Sequence, residues 1–368
     1  MKANFNAHIT DLLLAGCIEE LELQKTAYTL FECAGAVETV VYANRLMATT
    51  NYSSIIVIHN LPVVNDILQH YPDAHIDWVV EENFSDIPAL HPNINNIEKV
   101  SVRRWRNHLF KCSTWQEIKA FKHALNTHYD AVIDTQGLIK SALITRMAFG
   151  TKHGYDQHSI RESLASHAYQ HTYNISYQQH AVTRNRTLVA QALGYITPIN
   201  APDYGIRANT VLFPMDTHLT KQPFVIGLHG SSRDSKLWPV DHWIGFGKQL
   251  ESEATTLVLP WSNQAEKQRA EEIQSQLMHA LVLPKLNIGQ LATIISQATA
   301  AVGVDTGLTH LAVALSIPTV AIYTDTNPAL TGVMAGAFAP AVNLGNIQVV
   351  PSAEEVFNMY KELINPTT

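Results

Sequence analysis

Cysteine is scarce in this chain. Three occur in 368 residues, Cys17, Cys33 and Cys112, and their spacing matches no zinc-binding pattern. A low, odd number fits a reducing compartment better than a disulfide scaffold. The eighteen histidines are scattered; none forms HExxH or pairs with a cysteine, so no metal centre is expected. No apolar run reaches the length of a membrane span. The first residues lack the charged, apolar and cleavage regions of a secretory signal. No strand is followed by GxGxxG, which argues against a nucleotide-dependent oxidoreductase. Charge is also sparse, at 15% of residues with a net value of −7. Bulk electrostatics therefore favour neither nucleic acid nor an anionic membrane, and any anionic ligand needs a local basic cluster.

What is present is an apolar fraction of 46% and length enough for two domains. Residues 1–52 are helical in tone, carry no motif and remain unassigned. From Ser53 the texture becomes that of alternating strands and helices. "SSIIVI", "HIDWVV" and "YDAVIDT" read as strands, and "KVSVRRW" as a strand end. "PVVNDILQHYP" reads as a helix with Pro62 suited to its first turn, and "SDIPAL" as a short one. "STWQEIKAFKHALNTH" has helical period with Ser113 or Thr114 as cap, and "GLIKSALITRMAFG" is a further helix. "GYITPINAPDYGI" reads as a linker. A second alternation follows, with strands "FVIGLHG", "TTLVLPW", "ALVLP", "AAVGVD" and "PTVAIYT". The helices between them are "VDHWIGFGKQLES", "QAEKQRAEEIQSQL", "IGQLATIISQA" and "TGLTHLAVAL". The closing helix begins at Ser352, with Glu354 and Glu355 in its first turn. The expectation is an α/β protein of two doubly wound, mainly parallel domains, 53–197 and 198–351, with a C-terminal helix and tail at 352–368. Two such domains in series place a ligand cleft between them, at the carboxyl ends of the strands.

Two loops of the second domain carry chemistry. In "SSRDSKLWP", Ser231 and Ser232 can donate to a phosphate and Lys236 can add a point charge; an ordinary polar loop is the bland alternative. In "VGVDTGLTHLAVAL" a strand ends at Asp305 and a helix begins at Thr306-Gly307, whose N-terminus favours an anion. Here the bland alternative is a helix cap made by Asp305 or Thr306. Two such loops at one sheet edge describe a diphosphate site. Glu266, on the connection between them, can accept from ribose hydroxyls or simply complement its own helix dipole.

"LHGSSRDSKLWPVDHW", "VLPWSNQAEKQRA" and "VGVDTGLTHLAVAL" resemble the bacterial ADP-heptose:lipopolysaccharide heptosyltransferases of glycosyltransferase family 9. "SDIPALHP", "VSVRRWR", "YDAVIDTQGLIKSALITRMAFG" and "KHGYDQHSIRESLAS" extend the resemblance from about Ser53 to the C-terminus. It implies a GT-B fold, two facing Rossmann-like domains, and inverting transfer of L-glycero-D-manno-heptose from ADP-heptose to Kdo of Kdo2-lipid A. No metal or other cofactor is obligatory in such an enzyme, which would work in the cytoplasm, peripherally on the inner membrane. A second-heptose enzyme, or an inactive nucleotide-sugar-binding paralogue, is the alternative. On the donor side the resemblance assigns Ser231, Ser232 and Lys236 to the phosphates, Glu266 to the nucleoside and Leu286 to the adenine. Asp305, Thr306, Gly307, Leu308 and His310 would line the pocket. On the acceptor side Arg103, Arg104 and Arg106 form a basic cluster with Trp105 free to lie against sugar or lipid; Gln136, Lys140 and Arg161 are further candidates.

One departure matters. The family's general base is the Asp of a Ser-Ser-x-Gly-Asp motif shortly before His-Thr-Leu-Pro. Here Ser53-Ser54 and His59-Asn60-Leu61-Pro62 frame that place, and the "IIVI" between them has neither Gly nor Asp. Asn51 and Tyr52 replace a basic residue and a threonine. A reading-frame change upstream of His59, decay in an inactive paralogue, or a substitute base would each account for this. Asp66 is the nearest acid, although helical spacing sets it two turns beyond His59.

Overall fold

A computed structural model describes residues 2–3, 32–33, 58–108, 110–208 and 222–365. The expected base loop and most of the first 57 residues lie outside this set. Lys2–Ala3 (β1) and Glu32–Cys33 (β2) pair in parallel. The remaining description falls into two compact units, one of residues 100–177 and the other joining the described parts of Ser53–Lys99 and Gln178–Thr368.

In the larger unit Asp77–Glu81 (β3) pairs with Asn96–Val100 (β4). Its main sheet has six strands: Phe224–Leu228 (β8), Thr256–Leu259 (β9), Ala280–Val282 (β10), Ala300–Val304 (β11), Thr319–Tyr323 (β12) and Ala341–Gly345 (β13). All pairings are parallel, in the order β10-β9-β8-β11-β12-β13. Successive side chains of a strand point to opposite faces, and the core divides accordingly. Ile226, Leu228, Val258, Ala301 and Ala321 pack with Leu291, Ile295, Leu311 and Val313 of helices Ile288–Ile295 and Gly307–Ala314. Val225, Leu257, Leu259, Val302 and Ile322 face the other way. They meet Trp243, Phe246, Ile273, Val356 and Tyr360 of helices Val240–Ser252, Gln264–Gln274 and Ala353–Ile364. A sheet covered on both faces needs apolar residues at nearly every strand position, which is why these strands read as continuous apolar runs. Ser352 caps the last helix as expected, in a reciprocal box with Glu355.

The linker expected at 194–206 is packed rather than free. Tyr204 and Ile206 are buried in the same core as Ile226. Arg186, on helix Ala181–Leu193, donates to the Asn200 carbonyl at 2.7 Å. Arg186 also grips Asp66 of helix Pro62–His70 with two bonds of 2.7 and 2.8 Å, and both residues are buried. Residues 58–99 therefore pack with the chain beyond 178, not across a boundary at 197.

The smaller unit holds the parallel strands His128–Ile133 (β5), Phe149–Tyr155 (β6) and His171–Tyr173 (β7). The sequence hid β6, because "FGTKHGY" shows no apolar alternation. Its Gly150 has φ +138°, and a Cβ there would lie 2.1 Å from the Tyr129 carbonyl oxygen. Only glycine permits that approach, which coincides with the register shift between Tyr129 and Ala131. "SVRRWRN" also departs from expectation: Val102–Asn107 is a helix following β4, not a strand end. Trp105 accounts for it. Its ring is buried against Phe121 of helix Cys112–Ala124, and its indole N–H donates to Glu117 at 2.7 Å. Trp105 therefore offers no face to a sugar or lipid. The neighbouring helix, expected to start at a Ser113 or Thr114 cap, begins at Cys112 without a side-chain cap.

Truncating one partner of a buried ion pair leaves a charge without compensation. Arg186→Ala should cost about 3–5 kcal/mol of stability in urea unfolding of the intact chain. A loss within the ordinary surface range of about 0.5 kcal/mol would contradict the structural role of the pair.

Candidate active site

Strands β8, β9 and β10 run to one side of the main sheet and β11, β12 and β13 to the other. The strand order thus reverses between β8 and β11, which pair directly through Ala301 and Ile226. Loops leaving the carboxyl ends of strands at such a reversal diverge and open a crevice suited to a ligand. Both loops singled out in the sequence leave from this place.

At its centre Lys236 Nζ lies 2.5 Å from Asp305 Oδ2, with both side chains buried. Thr326, beyond β12, donates its hydroxyl to the same carboxylate oxygen at 2.7 Å. Ser231 Oγ reaches the Asp305 carbonyl at 3.4 Å. Ser235 donates to Asp325 at 2.6 Å, and Thr324 donates to the Ser235 carbonyl at 2.8 Å. The ends of β8, β11 and β12 are tied together by these bonds. Gly307 opens its helix after Thr306, which makes no side-chain cap bond. The bland reading of Thr306 as a side-chain cap is thereby removed; its carbonyl instead accepts from the Thr309 amide at 3.1 Å. Gly303 admits Thr309, whose hydroxyl donates to the Val304 carbonyl at 2.6 Å; a Cβ on Gly303 would lie 2.3 Å from that oxygen.

Glu266 stands in the first turn after Asn263, which caps its backbone N–H at 3.0 Å. Glu266 Oε2 accepts from the Ser262 amide and hydroxyl, both at 2.7 Å. Its carboxylate also lies over Gly230, where a Cβ would come within 2.8 Å of Glu266 Cδ. Glycine at 230 is what lets this acid approach the phosphate-type loop. Leu286 is half-buried against the core beside β10. Thr306 and Leu308 are half-exposed around the start of their helix, and Ser232 is exposed.

His310, one turn into the helix, is buried, and its Nδ1 lies 3.2 Å from His59 Nε2. Its Nε2 has no partner among the described residues. Burial pushes His310 down to about 4; Asp305 opposes the shift, and His180 and Lys236 add to it. Burial, then His310 and His180, hold His59 well below the usual imidazole range. His229, at the end of β8, is pushed down to about 4 by burial and then Arg269, although Glu266 and its bond to the Pro260 carbonyl pull the other way.

The smaller unit gathers three of the acceptor candidates. Asp134, at the end of β5, accepts from the amides of Gln136 at 2.8 Å and Gly137 at 3.1 Å. The Tyr169 hydroxyl donates to its other oxygen at 2.7 Å. Gly137 has φ +64° and packs on Ile160, while Glu162 accepts from the Ile139 amide at 2.6 Å. Gln136 and Arg161 belong to these two clasped loops, and Lys140 lies in the first turn of the helix Ile139–Thr145 that follows the first of them. Arg103, Arg104 and Arg106 sit instead on the Val102–Asn107 helix. Arg104 is held there by two 2.8 Å bonds to Glu117 and one of 2.9 Å to Ser101. Asp66 is corrected as a substitute base: both of its oxygens accept from Arg186 in a buried pair.

The family model described as Glycosyltransferase family 9 (heptosyltransferase) matches residues 118–356. Lipopolysaccharide heptosyltransferase 1 of Escherichia coli K12 is 41% identical over 279 residues, covering 75% of this chain and 86% of its own. The chain belongs to glycosyltransferase family 9. Lipopolysaccharide heptosyltransferase 1 of Pseudomonas aeruginosa PAO1 is also 41% identical, over 278 residues that cover 75% of this chain and 77% of that protein. The solved structure of E. coli heptosyltransferase WaaC with ADP superposes with a TM-score of 0.75 at 38% identity, covering 84% of this chain and 97% of that one. The fold is accordingly that of the GT-B glycosyltransferases.

Sequence reasoning missed Thr326, Ser235, Gly230 and His59. Thr326 and Ser235 were within reach of one rule, that residues just past a strand's carboxyl end line the site. His59 carried no such signal, since its partner is 251 residues away.

Buried neutral histidines make stability depend on pH. His310 and His229 take up protons at 6.5 when unfolded and only at about 4 when folded. Between those values the unfolded state binds more protons, so stability is full above pH 6.5 and is lost as pH falls toward 4. Thermal unfolding should show a melting temperature that drops through this window. His229→Gln, which can still donate to the Pro260 carbonyl, should make the drop shallower, whereas a melting temperature flat from pH 7 to pH 4.5 would contradict the assignment.

Proposed function

We propose that this chain is an inverting heptosyltransferase taking L-glycero-D-manno-heptose from ADP-heptose to Kdo of Kdo2-lipid A. The carrying observation is the cluster of Lys236, Asp305, Thr326 and Ser231 at the β8–β11 reversal, next to a helix N-terminus without a side-chain cap. Such a place suits a diphosphate. Ser231, Ser232 and Lys236 hold the phosphates, with the helix N-terminus at Thr306, Gly307 and Leu308 facing their charge. Glu266 takes the ribose and Leu286 lies by the adenine. The donor groups belong to the larger unit, and Gln136, Lys140, Arg161 and the arginines of the 102–107 helix, in the smaller one, meet the acceptor's carboxylates and phosphates. The likeness to lipopolysaccharide heptosyltransferase 1 proteins supports the first-heptose reading over a second-heptose one.

The enzyme works at the membrane surface from the cytoplasmic side. No helix among the described residues is long and apolar enough to cross a membrane. The smaller unit exposes Phe110 at 89% and Trp115 at 57% beside exposed Lys111, Lys119 and Lys122. Exposed aromatic rings among lysines suit an anionic lipid interface.

The second reading is a nucleotide-sugar-binding chain with impaired transfer. It is favoured by "IIVI" in place of the family's base motif and by Asp66 being locked to Arg186. General-base assistance typically contributes about 10²–10⁴-fold. ADP release with Kdo2-lipid A should therefore be at least about a hundredfold slower than in a relative carrying the base. Replacing residues 1–58 with a relative's first strand and Ser-Ser-x-Gly-Asp loop should restore it, whereas full activity of the chain as it stands would show that another group takes the proton. The donor site is tested separately. Lys236→Ala should weaken ADP binding by about 1.5–3 kcal/mol in calorimetry, the range for hydrogen bonds to charged groups, and unchanged affinity would remove Lys236 from the site.

A further inference from the structure

His59 and His310 lie 251 residues apart in sequence and meet edge to face, with ring centroids 4.8 Å apart and Nε2 of the first 3.2 Å from Nδ1 of the second. Both rings are buried, and burial keeps both neutral near pH 7. A third histidine stands beside them: the His180 ring centroid is 5.6 Å from that of His59. His180 has its own partners. Its Nδ1 accepts from the Val182 amide, and its Nε2 donates to the Gly332 carbonyl at 2.9 Å.

Two neutral imidazoles share one hydrogen, so the contact has two arrangements. If His310 Nδ1 donates, His310 Nε2 is a bare lone pair, buried and without partner among the described residues. If His59 donates, His310 Nε2 carries the hydrogen instead. The surroundings favour the second. An anionic ligand at the adjacent Lys236–Asp305 pair requires donors, and only the second arrangement gives His310 Nε2 a hydrogen to offer. A buried N–H without a partner among the described residues is then the counterpart of an acceptor on the ligand.

We infer that His59 is a positioning residue for the donor site, its Nε2–H donating to His310 Nδ1 and so fixing His310 as a neutral Nε2–H donor to an oxygen of the bound nucleoside diphosphate. This rests on the donor-site reading given above. It assigns the histidine that follows the altered base loop to ligand binding in the larger unit, not to proton abstraction. Glutamine at position 59 preserves the arrangement, since its amide N–H can donate to His310 Nδ1, whereas phenylalanine fills the space and removes the donor.

Long-range proton–nitrogen correlation spectra of the nitrogen-15-labelled full chain, with His310 assigned by His310→Gln, read the tautomer directly. The unliganded wild type should show His310 as the single Nε2–H form, and ADP should shift that nitrogen and its proton. His59→Gln should keep the form and bind ADP within about twofold of wild type. His59→Phe should give mixed or reversed tautomers and bind ADP about tenfold more weakly, as expected for one charge-assisted hydrogen bond. An Nδ1–H form in the wild type would overturn the inference even if His59→Phe failed to fold. ADP binding that leaves the His310 resonances unmoved would overturn it while sparing the donor site. Failure of the wild type to bind ADP at all would overturn the donor-site reading and this contact with it.

Discussion

Lys236 and Asp305 are 69 positions apart and meet at 2.5 Å in a buried setting. Taking two charges out of water is expensive, and their attraction offsets that cost only when the remaining hydrogen-bonding positions are filled. Thr326 fills one of those on Asp305. Apolar residues of similar volume often hold a fold as well as a buried ion pair or better, so a pair at this spot fits a requirement for charge there. On the proposed donor site the ammonium holds a fixed position for an anion, and the carboxylate keeps the ammonium from folding away. Everything else in the larger unit serves to bring the two loops together. Adjacent parallel strands set their separation, two apolar layers hold the sheet rigid, and the short hydroxyl bonds from Ser235 and Thr324 tie the β8 loop to the end of β12.

Rigidity at the ligand site is matched by a second fastening farther along. The Asp66–Arg186 pair joins the helix that follows the altered base loop to the helix that follows His180, and Arg186 reaches on to Asn200. His59 therefore arrives at His310 on a segment that is itself anchored. The same anchoring removes Asp66 from the list of proton acceptors. The sequence adds one point that falls largely outside the described residues: "IIVI" contains no carboxylate.

Much of the larger unit was legible because buried parallel strands leave so plain a trace. "FVIGL", "AAVGV" and "TVAIY" are apolar throughout, and the polar residue that ends each run marks the strand's functional edge. Asp305 was singled out in that way, and it does stand directly after β11. The smaller unit was harder. Its β6 contains two glycines, a lysine and a histidine, and its glycine at 150 answers to a carbonyl on the neighbouring strand that no local pattern reveals. "RRWR" resembled an alternating strand end; what makes it a helix is the distant pairing of Trp105 and Arg104 with Glu117. The linker at 194–206 read as open because of its prolines, yet Tyr204 is drawn into the core, with its hydroxyl donating to the Met334 carbonyl at 2.9 Å. In each case the deciding contact is long-range, whereas composition reports only what is local.

The central claim is that a nucleoside diphosphate is held where β8 and β11 diverge. Backbone amide hydrogen exchange with and without saturating ADP locates the ligand without altering any residue. Protection should rise in residues 230–237 and 305–310 and stay unchanged in 134–140, since the first two stretches supply the donors and the third belongs to the other unit. Protection confined to 134–140, or none in either donor loop while ADP is bound, would contradict the account.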